Sequence, residues 1–265
     1  MLIKVNKKII NTLIVNSLFL GGFMGSLSQF NAFGGISDVS TEYDVHSKNL
    51  SKQRNELRKL LNASEINWEK VKEIISKNPE LLTVRNSNKE TALHLAVQEE
   101  NLGVVKALAL RALRTMITGL KAQGQFGQTP LHLAVKSKSL KMVKALMARL
   151  PEADVKDCLK VQDERNWTPL HLAVESKSLK MVKALMAQLS KADVKTCLNV
   201  QDKQQKWTPL HLAVQLGNVD MVNALMEQLP IKDRQDCRYV RGMNQRTPIH
   251  LAKQKNNQNL INALQ

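Results

Sequence analysis

The sequence lacks most of the motifs that identify enzymes and metalloproteins. It has no glycine-rich phosphate loop, no GxSxG or HExxH sequence, and no paired acids set against a distinctive nucleophile. Its three cysteines form no CxxC pair, which argues against zinc. Aromatic residues make up only 4% of the chain, and no nucleic-acid motif accompanies them. The sequence therefore predicts a protein that is not an enzyme and that has no metal or cofactor. Nucleic acid is an unfavoured partner.

A short motif recurs five times at a nearly constant interval. TPLHLAV occurs at 129–135, 168–174 and 208–214, and is flanked by TALHLAV at 91–97 and TPIHLAK at 247–253. Successive copies begin 38 to 40 residues apart. A fixed period in this range indicates an array of stacked supersecondary units. The fourth position of every copy is a histidine: His94, His132, His171, His211 and His250.

Each unit has the pattern of two short helices. Thr129 is a suitable N-cap, and Pro130 suits the first helical position. The first helix then has one apolar face, formed by Leu131, Ala134 and Val135. Ser139 would cap a second helix, whose apolar stripe is Leu140, Val143, Met147 and Leu150. Such short helices can bury these faces only against neighbouring units.

The repeated TPLHxA pattern resembles that of ankyrin repeats, and the resemblance extends over residues 51–265. It implies an all-α repeat solenoid that binds proteins. It also implies that the threonine and histidine side chains brace the first helix of each unit and its neighbour. A metal role for the histidines is disfavoured because no cysteine or carboxylate recurs at ligand spacing. A Cys158–His171 catalytic pair is disfavoured because every unit would repeat it.

The chain departs from the 33-residue ankyrin period in two ways. The surplus lies after the second helix, as in 150–163, where Val155, Cys158, Leu159 and Gln162 have helical spacing. We therefore predict a third short helix in each unit. In the family, a glycine stands two residues before the threonine. Here one of the five copies keeps it, as Gly127, and the other four have Lys89, Asn166, Lys206 and Gln245. Between the two helices, Gly217 is retained, whereas Lys138 and Lys177 stand in the other matching places. Non-glycine residues there predict less regular hairpins and a less stable array.

These patterns give a domain prediction. Residues 1–34 are a signal peptide, 35–50 a linker and 51–265 the repeat domain. Within that domain, 51–90 form a degenerate cap, and the repeats are 91–128, 129–167, 168–207 and 208–246. Residues 247–265 form a polar C-terminal cap. The cysteines (Cys158, Cys197 and Cys237) occupy equivalent positions, which predicts small buried residues rather than disulfides.

The N-terminus has the pattern of a secretory signal. Lys4, Lys7 and Lys8 precede an apolar run at 13–24, and small residues follow it. Candidate cleavage points follow Ser28 or Gly34, so the mature chain would begin between Gln29 and Asp38. A retained membrane anchor is the alternative, although polar residues and glycines make the segment a poor span. A cytosolic protein with an apolar N-terminus is the third alternative.

The charge balance is strongly basic. Lys and Arg number 39 against 23 Asp and Glu, which gives a net charge of +16. Six lysines recur every three residues along two second helices: Lys138, Lys141, Lys144, Lys177, Lys180 and Lys183. They predict a basic stripe on the outer face of the array. It is either a solvated surface or a site that attracts an acidic partner or an anionic membrane.

The predicted function is a protein–protein interaction scaffold. With its export signal and its 28 lysines, 11 arginines and 21 asparagines, the chain resembles secreted ankyrin-repeat proteins of intracellular bacteria. The resemblance implies a host or extracytoplasmic protein partner. Two alternatives remain: a membrane-anchored scaffold for the cell's own proteins, and an electrostatic binder of anionic membrane or nucleic acid.

Carried over from the ankyrin family, the residues just before each threonine, in the hairpins and after the first helices line the concave binding face. The predicted protein-binding residues are Gln128, Lys136, Glu164, Arg165, Trp167, Glu175, Lys203, Gln204, Trp207, Gln215 and Arg246, with Glu90 at the first of these positions. The two tryptophans are either binding hot spots or residues that pack against the next hairpin.

Overall fold

The computed structural model describes residues 37–109, 113–148 and 150–265, and the side chains of 37–44, 113 and 114 are not described. The predicted signal peptide at 1–34, its cleavage points and the anchor alternative all lie outside the described residues. By its internal contacts the chain divides into two units, residues 1–56 and 57–265. The second unit contains the repeats.

The described residues form sixteen α-helices and no named strand. In chain order these are α1 (Ser37–Leu61), α2 (Trp68–Lys77), α3 (Ala92–Gln98), α4 (Leu102–Ala109), α5 (Leu113–Lys121), α6 (Pro130–Lys136), α7 (Leu140–Met147), α8 (Glu152–Lys160), α9 (Pro169–Glu175), α10 (Leu179–Met186), α11 (Lys191–Leu198), α12 (Pro209–Gln215), α13 (Val219–Glu227), α14 (Ile231–Arg238), α15 (Pro248–Gln254) and α16 (Gln258–Ala263). Short 3₁₀ turns occupy Pro79–Thr83, Gln125–Gly127 and Met243–Gln245. The all-α repeat architecture predicted from the sequence is confirmed.

The helices of residues 57–265 stack in three rows. The first helices, α3, α6, α9, α12 and α15, contact one another in order. The second helices do the same, from α2 through α4, α7, α10 and α13 to α16. The predicted third helices are present as α5, α8, α11 and α14, and the turn Pro79–Thr83 packs against the first of them. Each element therefore buries its apolar face against its counterparts in adjacent repeats, as an array requires.

The first helices begin as their sequence predicts. Thr129 has an extended backbone, its hydroxyl accepts from the His132 amide, and Pro130 occupies the first turn. The three apolar residues of the predicted face are buried, as is Leu93 in the preceding copy. Seven residues make a helix too short to be stable alone, so its stability comes from this packing.

The second helices are more extensively buried than the predicted stripe. In α7, Ser139 caps the first turn, and Met142, Val143, Leu146 and Met147 are all buried. Leu140 and Leu150, which the stripe included, are only half-buried. The helix lies between two counterparts and needs two apolar faces, whereas a single stripe would serve only one.

The third helices are shorter than their spacing suggested. Val155, Cys158 and Leu159 are buried within α8, but Gln162 lies after its end. The Gln162 side chain instead donates to the Asn166 carbonyl and, in the next repeat, to the Gln201 carbonyl. Gln123 donates likewise to the Gln162 carbonyl. The amide is therefore used between repeats rather than in a helix face.

All predicted glycine places adopt the left-handed conformation. The residues two before each threonine have φ values between 53° and 70°, and Lys138, Lys177 and Gly217 have φ of 58°, 55° and 71°. The hairpins also differ from one another, because Phe126 and Asn244 add a second positive φ in two of them. One of these two is the hairpin that keeps Gly127, so the missing glycines that we expected to cause irregularity do not explain the difference. The chain therefore keeps the family's backbone with lysine and asparagine at positions that favour glycine.

The segment predicted as a linker is helical from Ser37 onward, within α1. Its polar residues fit an exposed helix, and those described between Val45 and Asn49 are exposed or half-buried. At the C-terminal end of α1, Leu57 and Leu61 are buried. Within the predicted degenerate cap, residues 51–61 lie in α1 and residues 68–77 form α2. The Trp68 indole donates to Glu99 at 2.6 Å. Among the described residues, no helix combines the length and hydrophobicity needed to cross a bilayer.

Candidate functional site

The histidines of the first four motifs bridge adjacent repeats. In the second copy, His132 Nδ1 accepts from the Thr129 amide at 3.2 Å and lies 2.7 Å from the Thr129 hydroxyl. On its other side, His132 Nε2 lies 2.9 Å from the carbonyl oxygen of Trp167, in the next hairpin. His94, His171 and His211 repeat this arrangement with the carbonyls of Gln128, Trp207 and Arg246. The predicted bracing role is confirmed for these four residues.

Burial keeps these rings neutral. Desolvation lowers the pKa of His94, His171 and His211 to about 4 from 6.5, and it lowers that of His132 as well. With Nδ1 accepting from an amide, the proton of the neutral ring belongs on Nε2, where it donates to the carbonyl. A second proton would point Nδ1–H at an amide N–H. The geometry therefore uses both nitrogens for structure and leaves neither for proton transfer.

The fifth histidine is different. The His250 ring is exposed, and only its amide bonds to the Thr247 hydroxyl. No following hairpin packs against it in the described part of the chain. The structural role predicted for all five histidines is therefore wrong for His250, because the bridge needs a carbonyl from the next repeat.

The hairpins form a second connection between repeats. Glu164 donates from its amide to the Phe126 carbonyl at 3.1 Å, and Lys203 donates to the Arg165 carbonyl at 2.9 Å. Within the hairpin, the Asp163 carboxylate accepts from the amides of Arg165 and Trp167. Asp202 does the same for Gln205 and Trp207. These bonds fix the positions of the hairpin tips.

Five of the predicted binding residues line one groove, to which three consecutive repeats contribute. It has a volume of about 370 Å³. Its lining consists of Phe126, Gln128, Lys136, Asp163, Glu164, Arg165, Leu172 and Glu175. Lys136, Glu164, Arg165 and Glu175 are exposed, whereas Gln128 is buried at 7% exposure. The groove combines both signs of charge with an apolar wall.

Phe126, Asp163 and Leu172 belong to the groove but were absent from the sequence prediction. Phe126 is 60% exposed, an unusual state for so large an apolar side chain. Its place three residues before a motif threonine, where the other copies have polar residues, is the signal that could have identified it. Leu172 lies within a repeated heptapeptide and gave no such signal.

Trp167 is half-buried beside the groove. The Arg165 guanidinium lies 4.2 Å from the centroid of its ring, which is cation–π distance. The indole is also stacked on the His171 ring, with centroids 6.1 Å apart. Arg165 also lies 3.5 Å from the buried Asp163 carboxylate. Trp167 therefore holds Arg165 at the rim of the groove.

Trp207 packs against the next hairpin. A Cβ added to Gly242 would lie only 2.9 Å from the indole Cδ1, so indole and backbone are in direct contact. Its ring is also stacked on His211, with an interplanar angle of 5°. Of the two roles that the sequence allowed for this residue, the indole has the contacts expected for packing against the next hairpin. The residue is nevertheless only half-buried.

The other predicted binding residues are not in the groove. Lys203, Gln204, Gln215 and Arg246 are exposed on the following repeats. Glu90 is 5% exposed and accepts from the Gln98 side chain, so it contributes to the fold of the first repeat.

A third connection, along the third helices, was not predicted. Lys121 pairs with Asp157, Lys156 with Asp193, and Lys195 with both Asp233 and Asp236. These pairs link α5, α8, α11 and α14 in sequence. The recurrence of the letters ADVK at 153–156 and 192–195 was the available signal.

The described residues offer no reactive thiol or metal centre. The three cysteines are free and buried, and desolvation raises their pKa values to about 12, 12 and 11. At neutral pH such thiols are protonated and weakly nucleophilic. No group of three or more His, Cys, Asp or Glu within the described ranges could hold a metal ion.

Comparison with protein families agrees with this geometry. A family model for ankyrin repeats matches residues 60–157, 109–196 and 190–265. A comparison with curated proteins gave no significant match. Ankyrin-repeat proteins are typically non-enzymatic scaffolds for protein–protein interaction, and no catalytic family is indicated. The chain therefore belongs to the ankyrin-repeat family.

Proposed function

We propose that this scaffold binds its protein partner at the groove between 126 and 175. The observation that carries the proposal is the convergence of five predicted contact residues on one concave site. Stacked repeats create the extended concave surfaces through which repeat proteins bind their partners.

The chemistry of the groove describes the segment that would fit. Phe126 and Leu172 offer apolar contact, Lys136 and Arg165 attract carboxylates, and Glu164 and Glu175 attract basic side chains. The complementary segment is one apolar side chain flanked by charges of both signs. Aromatic and arginine residues dominate binding energy at interfaces, so Phe126 and Arg165 are the expected anchors.

A pull-down with the full chain, followed by affinity measurement on the captured protein, tests this site. Phe126→Ala should weaken binding at least about 30-fold, since a hot-spot truncation costs about 2 kcal/mol or more. Tyr239→Ala is the matched control, because Tyr239 is also an exposed aromatic, at 54%, and lies outside the groove. Equal losses from both variants, or none from Phe126→Ala, would argue against the groove.

We further propose that the chain is exported and acts on a host or extracytoplasmic partner. The support is the basic start, the apolar run and the small residues that follow it within residues 1–34. Sequencing the N-terminus of protein recovered from its native cell should give a start between Gln29 and Asp38. An intact Met1 in the membrane fraction would instead favour an anchored scaffold for the cell's own proteins.

A further inference from the structure

Two adjacent repeats present a cationic surface made of exposed lysine side chains. The residues are Lys138, Lys141, Lys144, Lys177, Lys180 and Lys183, here called the basic face. All six are exposed, and none of them pairs with a carboxylate among the described residues. Four of them lie on α7 and α10, in the row of second helices, whereas Lys138 and Lys177 lie in the turns just before these helices. None of the six lines the groove.

The lysines of the third helices provide an internal comparison. Lys121, Lys156 and Lys195 each face an aspartate of the next repeat at 2.9 Å or less. Helices α7 and α10, both LKMVKALM, contain no acidic and no aromatic residue. Neutralising partners are therefore present along the third helices and missing on α7 and α10.

The basic face has definite ends. One repeat earlier, the positions of Lys138, Lys141 and Lys144 are Glu100, Gly103 and Lys106, which together carry no net charge. One repeat later, the positions of Lys177, Lys180 and Lys183 are Gly217, Asp220 and Asn223. The excess charge is thus concentrated on two repeats and is not a general property of the second helices.

The two helices hold the charges in a fixed arrangement. Ser139 and Ser178 cap them, and their methionines, valines and second leucines are buried between neighbours. Packed helices lie about 8–10 Å apart, so the lysines form two parallel rows at about that separation.

This chemistry distinguishes between partners. A specific protein interface needs a buried core with aromatic or other apolar anchors, and these helices offer only lysine heads and half-buried aliphatic residues. A bilayer with anionic headgroups needs no anchor, because its lipids move laterally to meet fixed cations, and each lysine near such a surface adds to binding. We propose that the basic face docks the array onto an anionic membrane surface.

Co-sedimentation of the full chain with lipid vesicles tests the proposal. Binding should be stronger to vesicles of 70% phosphatidylcholine and 30% phosphatidylserine than to vesicles of pure phosphatidylcholine. Binding to the pure phosphatidylcholine vesicles measures any contribution of the apolar N-terminus and is subtracted. The phosphatidylserine-dependent binding should also weaken as salt rises, because screening shortens the reach of the charges. Replacing Lys138, Lys141, Lys177 and Lys180 by Gln should lower the phosphatidylserine-dependent affinity roughly 600-fold, at roughly fivefold per lysine.

The matched control removes the same charge elsewhere. Lys52, Lys59, Lys253 and Lys255 are exposed and lie outside the basic face. Their replacement by Gln should change affinity only severalfold. Equal losses in the two variants would reduce the effect to net charge and overturn the proposal, as would no preference for phosphatidylserine. If the chain instead bound immobilised poly-glutamate through the basic face and did not bind vesicles, the face would be assigned to an acidic protein partner. Circular dichroism melts should match wild type for both variants, because the replaced ammonium groups have no partner in the fold.

Discussion

Acidification should unfold the array through its bridging histidines. The pKa of His94, His171 and His211 is about 4 in the fold, against 6.5 for an ordinary histidine. Between these values the unfolded chain binds protons that the folded chain does not. Stability is therefore at its maximum above about pH 6.5 and is lost as the pH falls toward 4.

The size of the effect follows from the shift. The difference between a pKa of about 4 in the fold and 6.5 in the unfolded chain corresponds to a loss of about 3 kcal/mol of stability per histidine once the pH is well below 4. At pH 5 the loss is about 2 kcal/mol each, or about 6 kcal/mol for three. Domains have only about 5–15 kcal/mol of stability. The pKa values of Glu73, Asp157 and Asp193 are lowered from 4.5, 3.8 and 3.8 by lysine partners, so these carboxylates keep most of their contribution at pH 5 and lose it at lower pH.

Urea unfolding at pH 7, 6, 5.5 and 5 measures this directly. The slope of unfolding free energy against pH should show uptake of about three to four protons near pH 5, since His132 adds to the three. His171→Gln should reduce the uptake by about one proton, because a glutamine at this position of a capping box can still accept from the Thr168 amide. His250→Gln, which changes a ring with no bridge to another repeat, is the control. An uptake below one proton in the wild type would refute the reasoning.

Three further outcomes are expected. The cysteines should react with a thiol reagent only as fast as the array unfolds, and labelling at a rate independent of denaturant would contradict their burial. Lys177→Gly should raise the unfolding free energy by up to about 1 kcal/mol by relieving a left-handed backbone, whereas Lys180→Gly, inside a helix, should lower it by about the same amount. Trp207→Ala should lower the melting temperature more than Trp167→Ala, because the Trp207 indole packs against the next hairpin at Gly242, whereas the Trp167 indole contacts the exposed Arg165. The reverse order, by calorimetry, would show that packing against Gly242 is unimportant.

The sequence alone determined the repeated architecture and much of its local geometry. Thr–Pro at the start of each first helix, Ser139 before a second helix and apolar residues at helical spacing act through neighbouring residues. Such effects can be read from order along the chain. The left-handed positions were likewise predictable. Equivalent positions of a repeat have the same backbone conformation, so the lysines that stand where other copies have Gly127 or Gly217 also have positive φ. The bridging role of the histidines came from the family resemblance, and it failed only for His250.

Tertiary structure decided what depends on residues far apart in sequence. Phe126, Leu172 and Glu175 line one groove because stacking brings a hairpin beside the first helix of a later repeat. This proximity cannot be predicted from a local sequence pattern, because Phe126 lies more than forty positions before the other two residues. The same holds for the partners of Lys121 and Lys156, each more than thirty residues away. Whether a lysine is paired depends on which side chain its neighbouring helix presents. That is why the paired lysines of the third helices and the unpaired lysines of the basic face look alike in the sequence and differ in the fold.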